Sequence, residues 1–129
     1  AKVTYVGNFK HYQAPNIDIF VGDIFEFSAM QLGHVDAIDD RASFVALPES
    51  MRAEYTEHMA KISASASQLL ITYEYDKSIL SGPPFACTAQ QLMQYYELNY
   101  ALTTLSLDDV EGGLKGIDAK EFVCLLQKR

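Results

Sequence analysis

A helical stripe that feeds almost at once into an unbroken apolar run constrains this chain more than any other feature. Met51, Tyr55, Met59 and Ile62 recur at spacings of four, four and three, which puts them on one face of a helix. Pro48 suits the first helical position, where its missing N–H costs nothing. Glu57 and Lys61 stand in the favourable i,i+4 order on another face. Leu69-Leu70-Ile71-Thr72-Tyr73 follows. Such a run suits a parallel strand covered on both faces, or a buried segment of helix. A helix beside a buried strand is the building unit of α/β folds.

The rest of the chain extends the alternation. Val3–Val6 and Phe9–Tyr12 flank Gly7-Asn8, a turn dipeptide, and Ala14-Pro15-Asn16 leads into the strand Ile17–Val21. Val35–Ile38 is short and apolar and runs into Asp39-Asp40-Arg41. Thr88 with Gln91 is a capping-box pair, which predicts a helix over Ala89–Tyr96. Ala101–Leu107 and Phe122–Leu126 read as strands on either side of the glycine-rich loop Gly112–Gly116, with no helix between them. The expected fold is therefore α/β, with a mostly parallel sheet and a final antiparallel strand pair. No repeat, linker or charge block divides residues 1–129, so they read as one domain.

Charge and composition narrow the functions. Seventeen acids against ten Lys and Arg leave a net charge of −7. No basic stripe relieves this, so the chain is a poor candidate for binding nucleic acid. No apolar run approaches the roughly 20 residues needed to span a bilayer, and Ala1–Tyr5 lacks the layout of a signal peptide. Cys87 and Cys124 cannot make a disulfide framework, so a reduced, cytoplasmic protein is expected. His11, His34 and His58 share no metal-ligand spacing, and no metal site is expected. No Gly-x-Ser-x-Gly elbow is present to support a hydrolase.

Three polar clusters fall at strand ends, where ligands of α/β sheets sit: Gly22-Asp23, Asp39-Asp40-Arg41 and Glu74-Tyr75-Asp76. Asp23 reads either as a turn-capping aspartate or as a carboxylate meeting the polar edge of a ligand, with Ile24 as an apolar wall. Arg41 reads either as the ion-pair partner of Asp39 and Asp40 or as a fork for a ligand anion. Gly82-Pro83-Pro84-Phe85 reads as a rigid wall, with Phe85 offering an apolar or stacking surface.

Together these segments resemble the thiopurine S-methyltransferase family, its bacterial members above all. The resemblance is carried by Asn16–Phe25, by Val35–Ala42 leading to Val45-Ala46-Leu47-Pro48, and by Met51–Tyr55. Tyr73–Asp76 with Gly82–Phe85, and Asp109–Gly116, complete it. It implies a Rossmann-like fold and transfer of a methyl group from S-adenosylmethionine to a thiol or another soft nucleophile, including selenium or tellurium species. The position matching Asp23-Ile24 lies against the cofactor's adenine. The one matching Arg41 lies near the cofactor's methionine part and the acceptor, with Asp40 beside it at the strand end. Displacement at a sulfonium methyl carbon needs alignment more than acid–base groups. Phe85 and Lys115 are the candidate acceptor-side residues. Lys115 is the cation nearest the position of the second arginine of mammalian relatives, which is taken here by about Gly113.

Two departures shape the expectation. Asp39 stands where the family usually has an aromatic residue, which adds negative charge beside the site. The family's strand and glycine-rich turn that hold the cofactor have no counterpart before Ala1. The chain therefore reads as the C-terminal portion of such an enzyme, one incomplete domain with no turnover of its own expected. The alternative is a non-catalytic α/β module that binds a protein partner or forms a homodimer through exposed sheet edges.

Overall fold

The computed structural model describes residues 2–129, which form two separate sheets flanked by helices. β1 (Lys2–Val6) and β2 (Phe9–Ala14) meet in a two-residue hairpin with Val6 opposite Phe9, as Gly7-Asn8 foretells. Gly7 takes φ +58, a left-handed conformation that glycine enters freely. A second hairpin turns at Pro15-Asn16 and adds β3 (Ile17–Val21) antiparallel to β2.

The pleat gives this three-stranded sheet two unlike faces. Phe9 and Phe20 point inward and join Phe27 and Ile62 in a small core. The Phe9–Phe27 and Phe20–Phe27 ring centroids lie 5.3 and 4.8 Å apart. Gly22 is forced by this core: a Cβ there would stand 2.4 Å from the Phe9 ring. Val3, Tyr5, Ile17, Ile19 and Val21 lie on the opposite face and are exposed.

The 3-10 turn Ile24–Glu26 and the short helix α1 (Ala29–Leu32) lead to the second sheet. That sheet holds β4 (Ala37–Asp40), β5 (Ser67–Tyr75), β6 (Tyr100–Asp109) and β7 (Ala119–Lys128) in the order β4-β5-β7-β6. β4 and β5 are parallel, with α2 (Glu49–Ile62) between them in the chain. β5–β7 and β6–β7 are antiparallel. The expected mostly parallel sheet is thus corrected to a mixed one, and Ile17–Val21 lies outside it. The reason is loop length. A two-residue connection closes at little entropic cost and imposes antiparallel pairing, so β3 joins its chain neighbour β2. β6 and β7 pair as expected, and β7 then inserts beside β5.

α2 and α3 (Ala89–Tyr96) pack on the face of this sheet that carries Leu70, Phe122, Cys124 and Leu126. Phe44, Tyr55, Leu92, Tyr96 and Tyr100 fill the space between. Leu69, on the other face of β5, is 37% exposed, so the Leu69–Tyr73 run is covered fully on one face and only in part on the other. The Thr88–Gln91 capping box opens α3 as expected. Pro48 caps α2 from just outside instead of opening it, and the buried line of α2 runs through Arg52, Tyr55, Thr56, Ala60 and Ile62. Met51 and Met59 sit at its margins. Among the described residues no helix is long and apolar enough to cross a membrane.

Candidate functional site

The end of β4 turns sharply because Asp40 folds its carboxylate back under the following turn. Oδ1 accepts hydrogen bonds from the Ser43 N–H at 3.2 Å and the Phe44 N–H at 3.0 Å. Oδ2 accepts one from the Tyr55 hydroxyl at 2.7 Å. Asp40 is only 3% exposed, so these donors replace the water its charge would otherwise need. Burial first, and the Asp40 charge second, raise the Tyr55 phenol far above its ordinary range, which keeps it a neutral donor. Asp40 thus holds the turn and faces inward, and among the described residues neither it nor Asp39 pairs with Arg41.

Arg41 is exposed at the outside of the same turn. It borders a cavity of about 350 Å³ with Ala42, Val45, Ala46, Tyr73, Pro83 and Pro84. That volume lies at the small end of small-molecule sites. A charged head and a phenol among otherwise apolar walls fit the usual make-up of such a pocket, a few polar groups in an apolar lining.

The proline wall is fastened from several elements. The Phe85 N–H donates to Val45 O at 2.7 Å, and the Tyr75 hydroxyl donates to Pro84 O. Lys115 Nζ donates to Pro83 O at 2.6 Å. Arg52, buried on α2, donates through Nη2 to Ala86 O at 2.9 Å and lies over the Phe44 ring at 5.2 Å. Gly82, at φ +96, leaves room for the Phe85 ring: a Cβ would stand 2.7 Å from it. Phe85 therefore folds back on its own loop and does not line the cavity. Lys115 reaches the wall from the loop between β6 and β7, at the end of the sheet where β5 also finishes.

The first cluster lies apart. Asp23 accepts the Phe25 N–H at 2.9 Å and caps the Ile24–Glu26 turn, as its simpler reading supposes. Ile24 packs against both cores, and neither residue borders the Arg41 cavity. The link between them is indirect: the Phe25 ring meets Tyr55 with centroids 6.5 Å apart, and Tyr55 bonds Asp40. In the third cluster, Glu74 accepts the Ala89 N–H at the start of α3. Asp76 holds Ser78, whose hydrogen bonds lower its pKa.

Arg52 and Tyr73 lie within the motif segments Met51–Tyr55 and Tyr73–Asp76, but the sequence alone assigns neither of them a part in the site. A charged residue within the buried stripe of α2 was the available sign for Arg52. Tyr73 was hidden inside an apolar run.

The sequence model for thiopurine S-methyltransferase matches residues 1–123. A protein named thiopurine S-methyltransferase from Xanthobacter autotrophicus is 42% identical over 128 residues, covering 98% of this chain and 60% of the relative. One of the same name from Teredinibacter turnerae is 48% identical over 98% of this chain and 59% of the relative. A probable thiopurine S-methyltransferase from Yarrowia lipolytica is 36% identical over 91% and 56%. The chain spans about three-fifths of the length of the curated relatives it matches.

Proposed function

The chain belongs to the thiopurine S-methyltransferase family, and from that membership we propose that it carries the acceptor-binding part of an S-adenosylmethionine-dependent S-methyltransferase. The acceptor is a small thiol or another soft nucleophile, such as a reduced selenium or tellurium species. The observation that carries this reading is Arg41 on a cavity otherwise walled by Val45, Tyr73, Pro83 and Pro84. A guanidinium beside the acceptor favours the thiolate over the neutral thiol, and the apolar walls cover its hydrocarbon body. Asp40 acts as the anchor that aims Arg41. Phe85 and Lys115 hold the wall through the Val45 and Pro83 carbonyls, so their part is positioning.

S-adenosylmethionine is the methyl donor this reading implies, and the residues present do not form a cradle for it. Asp23 and Ile24 on one side and Arg41 on the other border no common cavity, and β3 and β4 belong to different sheets. These residues alone are expected to take up an acceptor but not the cofactor, and to transfer no methyl group. Titration calorimetry of the 129-residue chain with thiophenol and with S-adenosylhomocysteine tests this. The expected result is heat with thiophenol, lost in Arg41→Met, and none with S-adenosylhomocysteine. Micromolar binding of the latter overturns the division of labour, and thiophenol binding that survives Arg41→Met overturns the site.

A second reading, a non-catalytic module that pairs with a second copy, is favoured by the exposed Val3, Tyr5, Ile17, Ile19 and Val21 and by the outer edges of β1, β3 and β4. Unpaired strand edges template further pairing. A strict monomer by size-exclusion chromatography at high concentration removes it.

A further inference from the structure

Resting on the acceptor-cavity reading, we infer that Tyr73 supplies the cavity with a hydrogen-bond acceptor and that Glu121 is the positioning residue that makes it one. Tyr73 borders the cavity from β5. Glu121 stands directly across from it on β7, and the Tyr73 hydroxyl donates to Glu121 Oε2 at 3.3 Å. A phenol carries one proton and two lone pairs. With its proton turned to a carboxylate, Tyr73 has only lone pairs left for a ligand. Burial and the Glu121 charge raise the Tyr73 pKa, which keeps that proton in place, while the Arg41 charge opposes them weakly.

The two polar groups of the cavity then differ in kind. Arg41 can only donate, and its charge selects an anionic or strongly polarised atom. Tyr73 accepts. The ligand that satisfies both is a small molecule with a soft, electron-rich sulfur or selenium atom and, elsewhere on the same frame, an N–H donor. A ligand lacking the donor leaves the Tyr73 lone pairs unpaired on binding, which costs affinity. Remove Glu121, and the phenol proton is free to turn toward the ligand, so the preference for a donor disappears while the cavity keeps its shape. A purely structural part for Glu121 would weaken every ligand alike.

Two probes separate these outcomes: pyridine-4-thione, which carries a ring N–H, and thiophenol, which does not. Calorimetry under reducing conditions is expected to give tighter binding of the thione to the native chain by roughly fivefold, the factor of one ordinary hydrogen bond. Tyr73→Phe and Glu121→Met are each expected to abolish that preference, so that the two probes bind each variant alike. In native protein carbon-13 labelled at tyrosine Cζ, the thione is expected to shift the Tyr73 signal and thiophenol to leave it in place, a readout that needs no variant. Equal affinity for both probes, each lost in Arg41→Met, overturns the Tyr73 inference and leaves the acceptor cavity standing. A preference that persists in Glu121→Met overturns the positioning part. Binding of neither probe overturns both the inference and the reading beneath it.

Discussion

Tyr55 donates its hydroxyl proton to Asp40 at 2.7 Å, and through that bond the middle of α2 holds the end of β4 in place. The pair is buried, with Tyr55 1% and Asp40 3% exposed. A hydrogen bond to a buried carboxylate contributes more than an ordinary one. Tyr55→Phe is expected to destabilise the chain by about 1.5–3 kcal/mol, because it removes one donor from a charge that water cannot reach. Urea unfolding checks this: the midpoint should fall while the m-value stays unchanged. An unchanged midpoint means the bond does not hold the turn.

Arg41 and Arg52 should separate cleanly. Arg41 is exposed and Arg52 is buried with its guanidinium on the Ala86 carbonyl. Arg41→Met is expected to shift stability by no more than about 0.5 kcal/mol, as surface changes do, while abolishing thiophenol binding. Arg52→Met is expected to cost about 1–3 kcal/mol by leaving a carbonyl without its donor, and to weaken ligand binding through loss of the proline wall. Paired thermal melts and calorimetry read the contrast, which fails if both variants lose stability equally.

Cys87 is 1% exposed, and burial pushes its thiol up to about 11 from an ordinary 9.0, against the lowering effect of Arg52. The thiol therefore stays protonated in the fold at pH values where the unfolded chain has lost that proton. Folding stability linked to Cys87 is full below about pH 9 and declines as pH rises toward about 11. Cys87→Ala is expected to flatten that decline in a series of denaturation curves between those limits. At pH 8 a disulfide reagent should label Cys87 only after unfolding, and rapid labelling of the native chain would contradict its burial.

Gly22→Ala drives a Cβ to within 2.4 Å of the Phe9 ring. Phe9 belongs to the small core under the three-stranded sheet, and it has only Phe27, Ile62 and their neighbours to lean on. Displacing the ring is expected to cost about 1–3 kcal/mol. Hydrogen exchange should speed up in β1–β3 and leave β5 and β7 unchanged. Uniform acceleration would mean that the two cores unfold as one.

What could be read from residues alone were features set within a few positions of one another. Gly7-Asn8 made a hairpin because a glycine next to a turn-forming residue closes two strands locally. Thr88 and Gln91 satisfied each other's backbone N–H groups three residues apart. Arg41 could be singled out by the short motif around it, since the motif and the turn it forms are one segment. The family followed from several such segments taken in order.

Tertiary structure alone decided the rest, because it turns on groups distant in the chain. The sheet is mixed because β7 inserts antiparallel between β5 and β6, a pairing that apolar periodicity does not record. That Asp40 anchors its turn could not be read from its neighbours, since its partner Tyr55 lies fifteen residues away on a helix. Tyr73 read as one more apolar position until β7 brought Glu121, forty-eight residues on, to its hydroxyl. Residue order determines where the chain can turn and which stretches seek burial. Which polar groups then meet across the core is fixed only when the sheets close, because a hydrogen bond depends on position in space and not on distance along the chain.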